Sequence, residues 1–269
     1  MEMVSDQHEN GSKKPVSRRN FLGIGFGAAL GGIGATKAWA QRCDPATGAQ
    51  ALGPFFPNPQ TPIDVIREDN NPNTPLHLAN DSDLTFVQGR SGKATGQVVY
   101  VKGIVKNESC QAIAGATLVL WQAAHSGRYN HKGDSENHDF THPVTGQIIK
   151  RTHDPSFQYW GRALTNAKGE YLFKTIVPGF YPADLAQGWY RPPHLHLMVT
   201  ATGYPQLVTQ MYFRGEKIVD NAWIQDLNQK DLLLQGRNLS SEQREKLVVD
   251  FKQVNDELIG QFDINLQKA

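Results

Sequence analysis

From Gln97 onward, short runs rich in β-branched and aromatic residues alternate with turn signals, and this pattern constrains the fold more than any other feature of the chain. The runs span residues 97–106, 117–122, 171–176, 194–201 and 206–213. Turn sequences such as Asn166-Ala167-Lys168-Gly169 separate them. Strands of this length between turns are typical of an antiparallel sandwich. The sequence therefore predicts a mostly β fold, with an antiparallel β-sandwich core and long loops.

One helix is expected near the end of the sequence. Ser240 and Gln243 form a capping box, in which each side chain bonds the backbone N–H of the other residue. Hydrophobic residues follow at helical spacing, namely Leu247, Val248, Phe251 and Val254. We expect a C-terminal helix that packs against or beside the sandwich.

Residues 41–96 have a different composition, rich in proline, asparagine and aspartate. Several prolines prevent long regular elements, and they are Pro54, Pro57, Pro59, Pro62, Pro72 and Pro75. This segment is predicted to be an extended arm that wraps the core. The sandwich domain would then occupy residues 97–269.

Residues 1–40 have the features of a signal peptide. A basic segment containing Arg18 and Arg19 precedes a glycine-rich apolar run over residues 21–35, and Ala38-Trp39-Ala40 resembles a cleavage site. The string Ser17-Arg18-Arg19-Asn20-Phe21-Leu22 resembles the twin-arginine export motif. A membrane anchor is the alternative, but the run is shorter than the roughly 20 apolar residues of a spanning helix. We expect cleavage after Ala40, export to the periplasm or the cell exterior, and no stable membrane span afterwards.

The charge balance and the cysteines limit the function further. The formal net charge is +1, which gives no field for attracting nucleic acid or an anionic membrane, so a small-molecule ligand fits better. The two cysteines, Cys43 and Cys110, are too few for a disulfide scaffold and lack CxxC spacing. One structural disulfide between them is reasonable in an oxidising compartment, and free thiols are the alternative.

The residues that suggest chemistry lie in two regions. His194 and His196 are two residues apart on a predicted strand, so their imidazoles point to the same face and can reach one metal ion. Tyr181 lies between prolines in Pro178-Gly179-Phe180-Tyr181-Pro182, and Tyr129 ends Ser126-Gly127-Arg128-Tyr129 after another strand. A phenol has a pKa near 10, but a bound trivalent ion stabilises the phenolate. Two phenolates would hold iron in its ferric state.

Taken together, these residues resemble the intradiol ring-cleavage dioxygenases, the family of protocatechuate 3,4-dioxygenase and catechol 1,2-dioxygenase. The resemblance runs from about Gln97 to Asp220. Its motifs, in order, are Val101-Lys102-Gly103-Ile104-Val105, Gly115-Ala116, Trp121-Gln122, Gly127-Arg128-Tyr129, Tyr171-Leu172-Phe173, Thr175-Ile176-Val177-Pro178-Gly179, Arg191-Pro192-Pro193-His194-Leu195-His196 and the stretch from Leu207 to Gly215. The sequence shows no obvious helical N-terminal dimerisation region of the catechol 1,2-dioxygenase kind. In this respect it is more similar to the protocatechuate branch of the family.

The resemblance implies a function and a set of site residues. Fe(III) would be bound by Tyr129, Tyr181, His194 and His196, and the enzyme would cleave a catechol-type ring between its hydroxyl-bearing carbons with O₂, giving a muconate-type diacid. The family mechanism implies that the substrate displaces Tyr181 from the iron, after which Tyr181 can accept a substrate proton. Arg191 and Gln210 would face the substrate, with a structural salt bridge as the alternative for Arg191.

Other interpretations stay open from the sequence. An exported, non-catalytic β-sandwich binding module is the main alternative, and a zinc hydrolase ranks below it because two tyrosines are unusual zinc ligands. The loop histidines after Trp121 are expected to be solvated rather than to form a second metal site, and they are His125, His131, His138, His142 and His153. The sequence departs from the family pattern at Cys110 in a turn, at Val119 on a strand, and at Ala51-Leu52 before Gly53-Pro54-Phe55-Phe56. The ring substituent and a homo-oligomeric state are left open.

Overall fold

A computed structural model of the chain describes residues 43–56, 81–134 and 138–268. The signal expected over residues 1–40 and the arm residues 57–80 lie outside this set. In the part of the chain that is described, no helix has both the length and the apolar character needed to cross a membrane.

The mostly β fold is confirmed, and each of the five predicted runs overlaps a strand. The strands in the described residues are β1 Val98–Lys106, β2 Thr117–Trp121, β3 Phe140–Thr141, β4 Ile148–Ile149, β5 Trp160–Leu164, β6 Glu170–Ile176, β7 Tyr181–Asp184, β8 Trp189–Arg191, β9 His194–Thr200, β10 Leu207–Arg214, β11 Val248–Asp250, β12 Lys252–Val254, β13 Glu257–Gln261 and β14 Ile264–Asn265.

Two five-stranded sheets form the sandwich within the described residues. The first has the order β12-β13-β1-β14, with β6 also paired to β1, and the second has the order β11-β10-β9-β2-β5. Most pairings are antiparallel, as predicted. The late strands β13 and β14 instead run parallel to β1, and β11 runs parallel to β10.

The inner faces of the two sheets share one hydrophobic core. The first sheet contributes side chains such as Val101 and Phe173, and the second contributes Leu120, Leu195 and Leu197. Side chains alternate between the faces of a strand, so the histidines on either side of Leu195 point away from this core. His196 pairs with both Trp121 and Gln210 in the neighbouring strands, which places these three side chains on one face.

The helix prediction was correct in its start and wrong in its extent. Helix α2 spans Ser241–Leu247, and its capping box between Ser240 and Gln243 is formed. The chain then turns into β11 at Val248, because this residue pairs with Tyr212 of β10. A further helix, α1 at Asn221–Lys230, was not predicted, because it begins without a side-chain cap.

The first described segment of the arm, residues 43–56, has no helix or strand, and it is hydrogen-bonded to β14 of the first sheet and β10 of the second. The amide of Thr47 donates to the carbonyl of Asn265 at 3.0 Å, and that of Gln50 donates to Val208 at 2.9 Å. Cys43 forms a disulfide with Cys110, whose backbone φ of 62° lies in the left-handed region. Residues 43–56 are therefore fixed by the disulfide at Cys43 and by hydrogen bonds at Thr47 and Gln50.

Candidate metal centre

Three of the predicted metal ligands converge on the outer face of the second sheet. The hydroxyl of Tyr129 lies 3.0 Å from Nε2 of His196 and 3.3 Å from Nε2 of His194. The two Nε2 atoms are 3.1 Å apart. All three residues are buried, with no more than 2% of each exposed. One oxygen and two nitrogen atoms that can ligate a metal ion therefore face a common point that is shielded from solvent.

The protonation of the two imidazoles follows from their surroundings. Nδ1 of His194 lies 2.6 Å from the carbonyl oxygen of Pro192, which can only accept, so Nδ1 carries the hydrogen and Nε2 has a free lone pair. Burial, and then the charge of Arg191, lowers the pKa of both histidines well below the usual value. Both rings are therefore neutral at neutral pH, the form in which imidazole binds metals.

Tyr181, the fourth predicted ligand, lies beside this cluster. Its ring centroid is 5.6 Å from that of Tyr129 and 5.9 Å from that of His194. Burial raises the pKa of both phenols, while the positive charge of Arg191 acts in the opposite direction on each. Unless a metal ion is bound, both tyrosines are therefore neutral phenols.

The four side chains fit a ferric ion. Nε2 of His194 has a free lone pair, and the tautomer of His196 with its hydrogen on Nδ1 would offer a second lone pair beside the Tyr129 oxygen. A cation at their common point would satisfy these lone pairs, and it would also lower the pKa of the phenols. Phenolate oxygen and neutral imidazole are both ligands for iron.

Aromatic side chains enclose the cluster. The ring of Trp121 stacks on His196, with centroids 4.7 Å apart and an angle of 10° between the planes. From the arm, Phe55 packs against Tyr129 at 4.7 Å, and Gly53 is so close that a Cβ there would lie 3.2 Å from Cε1 of His196. Residues 53–55 of the arm thus cover the site. The departure from the family pattern at Ala51-Leu52 lies just before them.

Arg191 and Gln210 are adjacent and contact each other. Nη2 of Arg191 donates to Oε1 of Gln210 at 2.6 Å, and Nε donates to Asp231 at 3.1 Å. The other end of the Gln210 amide donates to the carbonyl of Ala51 at 2.9 Å. Arg191 also pairs with Tyr181 between β8 and β7. The guanidinium is thus both part of a buried salt bridge and a neighbour of the tyrosine.

Sequence reasoning missed the acidic residues that support the site. Asp231, fully buried, holds Arg191 across 40 residues of chain, and nothing in the local sequence marks it. Asp134 accepts from the amide of Tyr129 at 2.6 Å and pairs with Arg151. Its position five residues after Tyr129 in the same loop is the one signal that could have identified it.

The loop histidines are dispersed among different neighbours. His131 lies 5.8 Å from Phe55, His142 packs against Phe180 and Trp223, and the ring of His153 stacks on a core tyrosine. Over residues 43–56, 81–134 and 138–268, no group of three or more histidine, cysteine, aspartate or glutamate side chains is arranged to hold a metal ion.

Comparison with known proteins assigns the family. A family model described as Dioxygenase (Dioxygenase_C) matches residues 73–267, which is most of the chain. The chain belongs to the intradiol dioxygenase family. The matched region contains the Tyr129, Tyr181, His194 and His196 cluster.

Individual members of the family show how far the similarity extends. The chain is 36% identical over 140 residues to the protocatechuate 3,4-dioxygenase beta chain of Burkholderia cepacia, covering 52% of this chain and 54% of the relative. The chain spans little more than half the length of the curated relatives it matches, 54% to 59% for four of them.

Solved structures support the fold. The hydroxyquinol 1,2-dioxygenase of Pseudomonas putida DLL-E4 superposes with a TM-score of 0.53 at 18% identity, covering 85% of this chain and 69% of that one. The dioxygenase domain of a dioxygenase carbohydrate-binding protein fusion from Streptomyces sp. SirexAA-E gives 0.50 at 24% identity, covering 84% and 100%. At these identities the likeness concerns the fold alone.

Proposed function

We propose that this chain is a non-haem Fe(III) dioxygenase that cleaves a catechol-type ring between its two hydroxyl-bearing carbons and gives a muconate-type diacid. The observation that carries the proposal is the convergence of the Tyr129 hydroxyl and the two Nε2 atoms of His194 and His196 within 3.3 Å of one another. Tyr181 would complete the ligand set. A binding module has no need for such a buried set of donors.

Bound Fe(III) would supply a Lewis acid that lowers the pKa of the phenols and of the catechol hydroxyls and makes the ring reactive toward O₂. The chain's residues would control protons and orientation around it. Tyr181 has a pKa raised by burial, so when it is not bound to the metal it readily holds a proton. It is therefore suited to accept one from a catechol hydroxyl.

Arg191 would stabilise negative charge that develops on the ring, because its guanidinium is fixed in a buried position. Three contacts fix it: Asp231 at 3.1 Å, Gln210 at 2.6 Å and the hydroxyl of Tyr212 at 3.3 Å. Gln210 is engaged at both ends of its amide. We infer that Gln210 serves the reaction by holding Arg191 and by joining it to the arm.

Burial would protect the reaction from water. Trp121 covers one side of His196, and Phe55 covers Tyr129. A dry site strengthens the electrostatic interactions between the substrate and fixed charges such as Arg191. A flat aromatic substrate also suits a site with aromatic walls.

The test is visible absorption with iron quantified in the same sample. The iron-loaded protein is expected to show a tyrosinate-to-iron(III) band, which shifts on anaerobic addition of catechol or protocatechuate. Tyr129→Phe and Tyr181→Phe should each change or abolish the band. Tyr171→Phe is the matched control, because Tyr171 is equally buried but bonds the carbonyl of Phe262 in the core. A protein that stays colourless after iron reconstitution would refute the proposal.

The ring that is accepted can be identified in the same assay. The relatives' names concern protocatechuate, catechol, chlorocatechol and hydroxyquinol, so these four rings form the natural panel. Uptake of one O₂ per ring, with formation of the diacid, would establish ring cleavage. Sedimentation of the same preparation measures whether the chain forms a homo-oligomer.

We also propose export by the twin-arginine route, supported by the motif at Arg18 and Arg19 and by the disulfide between Cys43 and Cys110, since such bonds persist in oxidising compartments. The change Arg18→Lys with Arg19→Lys should retain the protein in the cytoplasm. Unchanged export of this variant would contradict the route.

A further inference from the structure

The two loops that carry the tyrosines touch through their backbones. Gly127 has φ +78°, and a Cβ at this position would lie 2.4 Å from the carbonyl oxygen of Phe180. A Cβ at Gly179 would lie 2.3 Å from the carbonyl oxygen of His125. The amide of Gly179 also donates to the carbonyl of Ala124 at 2.9 Å. No side chain fits between the loops at these points, so their spacing depends on what holds them together.

One guanidinium contacts both loops. Nη2 of Arg151 donates to the carbonyl of Gly127 at 2.6 Å and to both carboxylate oxygens of Asp134 at 3.0 Å. Asp134 in turn accepts from the amide of Tyr129 at 2.6 Å. Cζ of the same Arg151 lies 5.7 Å from the ring centroid of Tyr181. Arg151 therefore connects the backbone of one tyrosine to the ring of the other.

A gain in folding stability alone does not explain why Arg151 and Asp134 form a buried ion pair. Both side chains are completely buried, at 0% exposure. In such pairs the cost of removing two charges from water offsets much of their attraction, so an apolar pair of similar volume is often as stable. The ion pair instead orients two groups. It holds the carboxylate of Asp134 toward the amide of Tyr129, and it holds Nη2 of Arg151 toward the carbonyl of Gly127.

We propose that Arg151 is a positioning residue for the two tyrosine ligands, an inference that rests on the proposed ferric site. It acts through Asp134 and the Gly127 carbonyl on Tyr129, and through its own contact on Tyr181. Arg151 reaches the site from the segment that follows the β3-β4 hairpin, where its amide donates to Asp139 at 2.9 Å. That hairpin segment thereby contributes to the metal centre without supplying a ligand.

The variants follow from the contacts. Only Nη2 of Arg151 makes hydrogen bonds within the described residues, and Nε and Nη1 make none. A lysine ammonium can replace a single donor, so Arg151→Lys should still position the two tyrosines and bind iron, whereas Arg151→Met should not. The double variant Arg151→Met with Asp134→Asn removes both charges together, which protects the fold, and it leaves an acceptor for the amide of Tyr129. Lys106→Met is the control, because it breaks a 2.7 Å ion pair with Asp263 away from both tyrosine loops.

Two measurements test the proposal. In the metal-free protein, hydrogen exchange at the Tyr129 amide should accelerate in Arg151→Met and stay slow in Arg151→Lys and Lys106→Met. On iron titration, Arg151→Met and the double variant should bind Fe(III) about 10- to 100-fold more weakly, as is typical when a residue that supports metal ligands is lost. Their tyrosinate-to-iron band should also shift.

The outcomes separate the two proposals. A wild-type protein with no band refutes the ferric site itself. A wild-type band that is reproduced in position and affinity by the double variant overturns the role of Arg151. If Arg151→Met does not fold, the proposal is tested by comparing the iron affinity and the band of the double variant with those of Arg151→Lys. A fall in melting temperature with an unchanged band and affinity would mean that Arg151 is only structural, and this also overturns the proposal.

Discussion

Removal of the disulfide between Cys43 and Cys110 is expected to lower the stability of the chain by about 4 kcal/mol. The two Cα atoms are 5.4 Å apart, and the bond closes a loop between residues that are 67 positions apart. In the chain-entropy account, a closed loop of about 70 residues restricts the unfolded state by roughly 4 kcal/mol at 25 °C. For a domain of this size, that loss corresponds to a fall in melting temperature of roughly 10 °C.

The assay is thermal unfolding followed by circular dichroism, comparing the oxidised protein with Cys43→Ala/Cys110→Ala. Cys110 has φ 62°, so glycine should be tolerated there better than alanine. Cys43→Ala/Cys110→Gly should therefore recover about 1 kcal/mol relative to the double alanine variant. The site should be preserved, because separate hydrogen bonds hold residues 47–51. A shift below about 2 °C would refute the loop-entropy argument, and loss of the iron band would refute the independence of the site.

Three other perturbations have defined outcomes. Asp231→Ala should cost about 3–5 kcal/mol in urea unfolding, because it leaves a buried guanidinium unpaired, and Asp231→Asn should cost less; equal costs would contradict this. Gly53→Ala adds a Cβ 3.2 Å from His196 and should weaken iron binding in a metal titration, whereas Gly89→Ala, with a similar φ and no atom within 4 Å, should not. Burial and then Arg128 lower the pKa of His153 from 6.5 to about 4, so the native state binds fewer protons than the unfolded state between these values. Its contribution to stability is complete above pH 6.5 and is lost as the pH falls toward 4; His153→Gln should flatten this part of the stability profile, and an unchanged slope would refute the assignment.

The local rules of the sequence predicted those parts of the site that lie on one strand or in one turn. Alternation along β9 was enough to place Leu195 and Leu197 in the core and the two histidines on the opposite face. Tyr129 and Tyr181 were noticed in their turns, but their assignment as metal ligands came from the family resemblance, since a tyrosine in a glycine turn carries little information alone. The structure places these side chains close to one another.

The features that were missed depend on partners far away in the sequence. The capping box at Ser240 fixes the start of a helix, but the end of α2 is decided by the pairing of Val248 with Tyr212. Asp231 looks like any other loop aspartate until Arg191, 40 residues earlier, is placed beside it. Such pairings are set by tertiary packing, which overrides local propensity.

The parallel pairing of β1 with β13 and β14 has a consequence for the order of folding. Val101 is next to Gly260, and Val105 is next to Ile264, about 160 residues later. The amide of Asn265 also donates to the hydroxyl of Thr47 in the arm. During synthesis, the first strand can pair early with β6 but must wait for residues near 265 before it gains its other neighbours. Contacts between such distant parts of a chain slow folding, so the domain should acquire its protease resistance late, after residue 265 has left the ribosome.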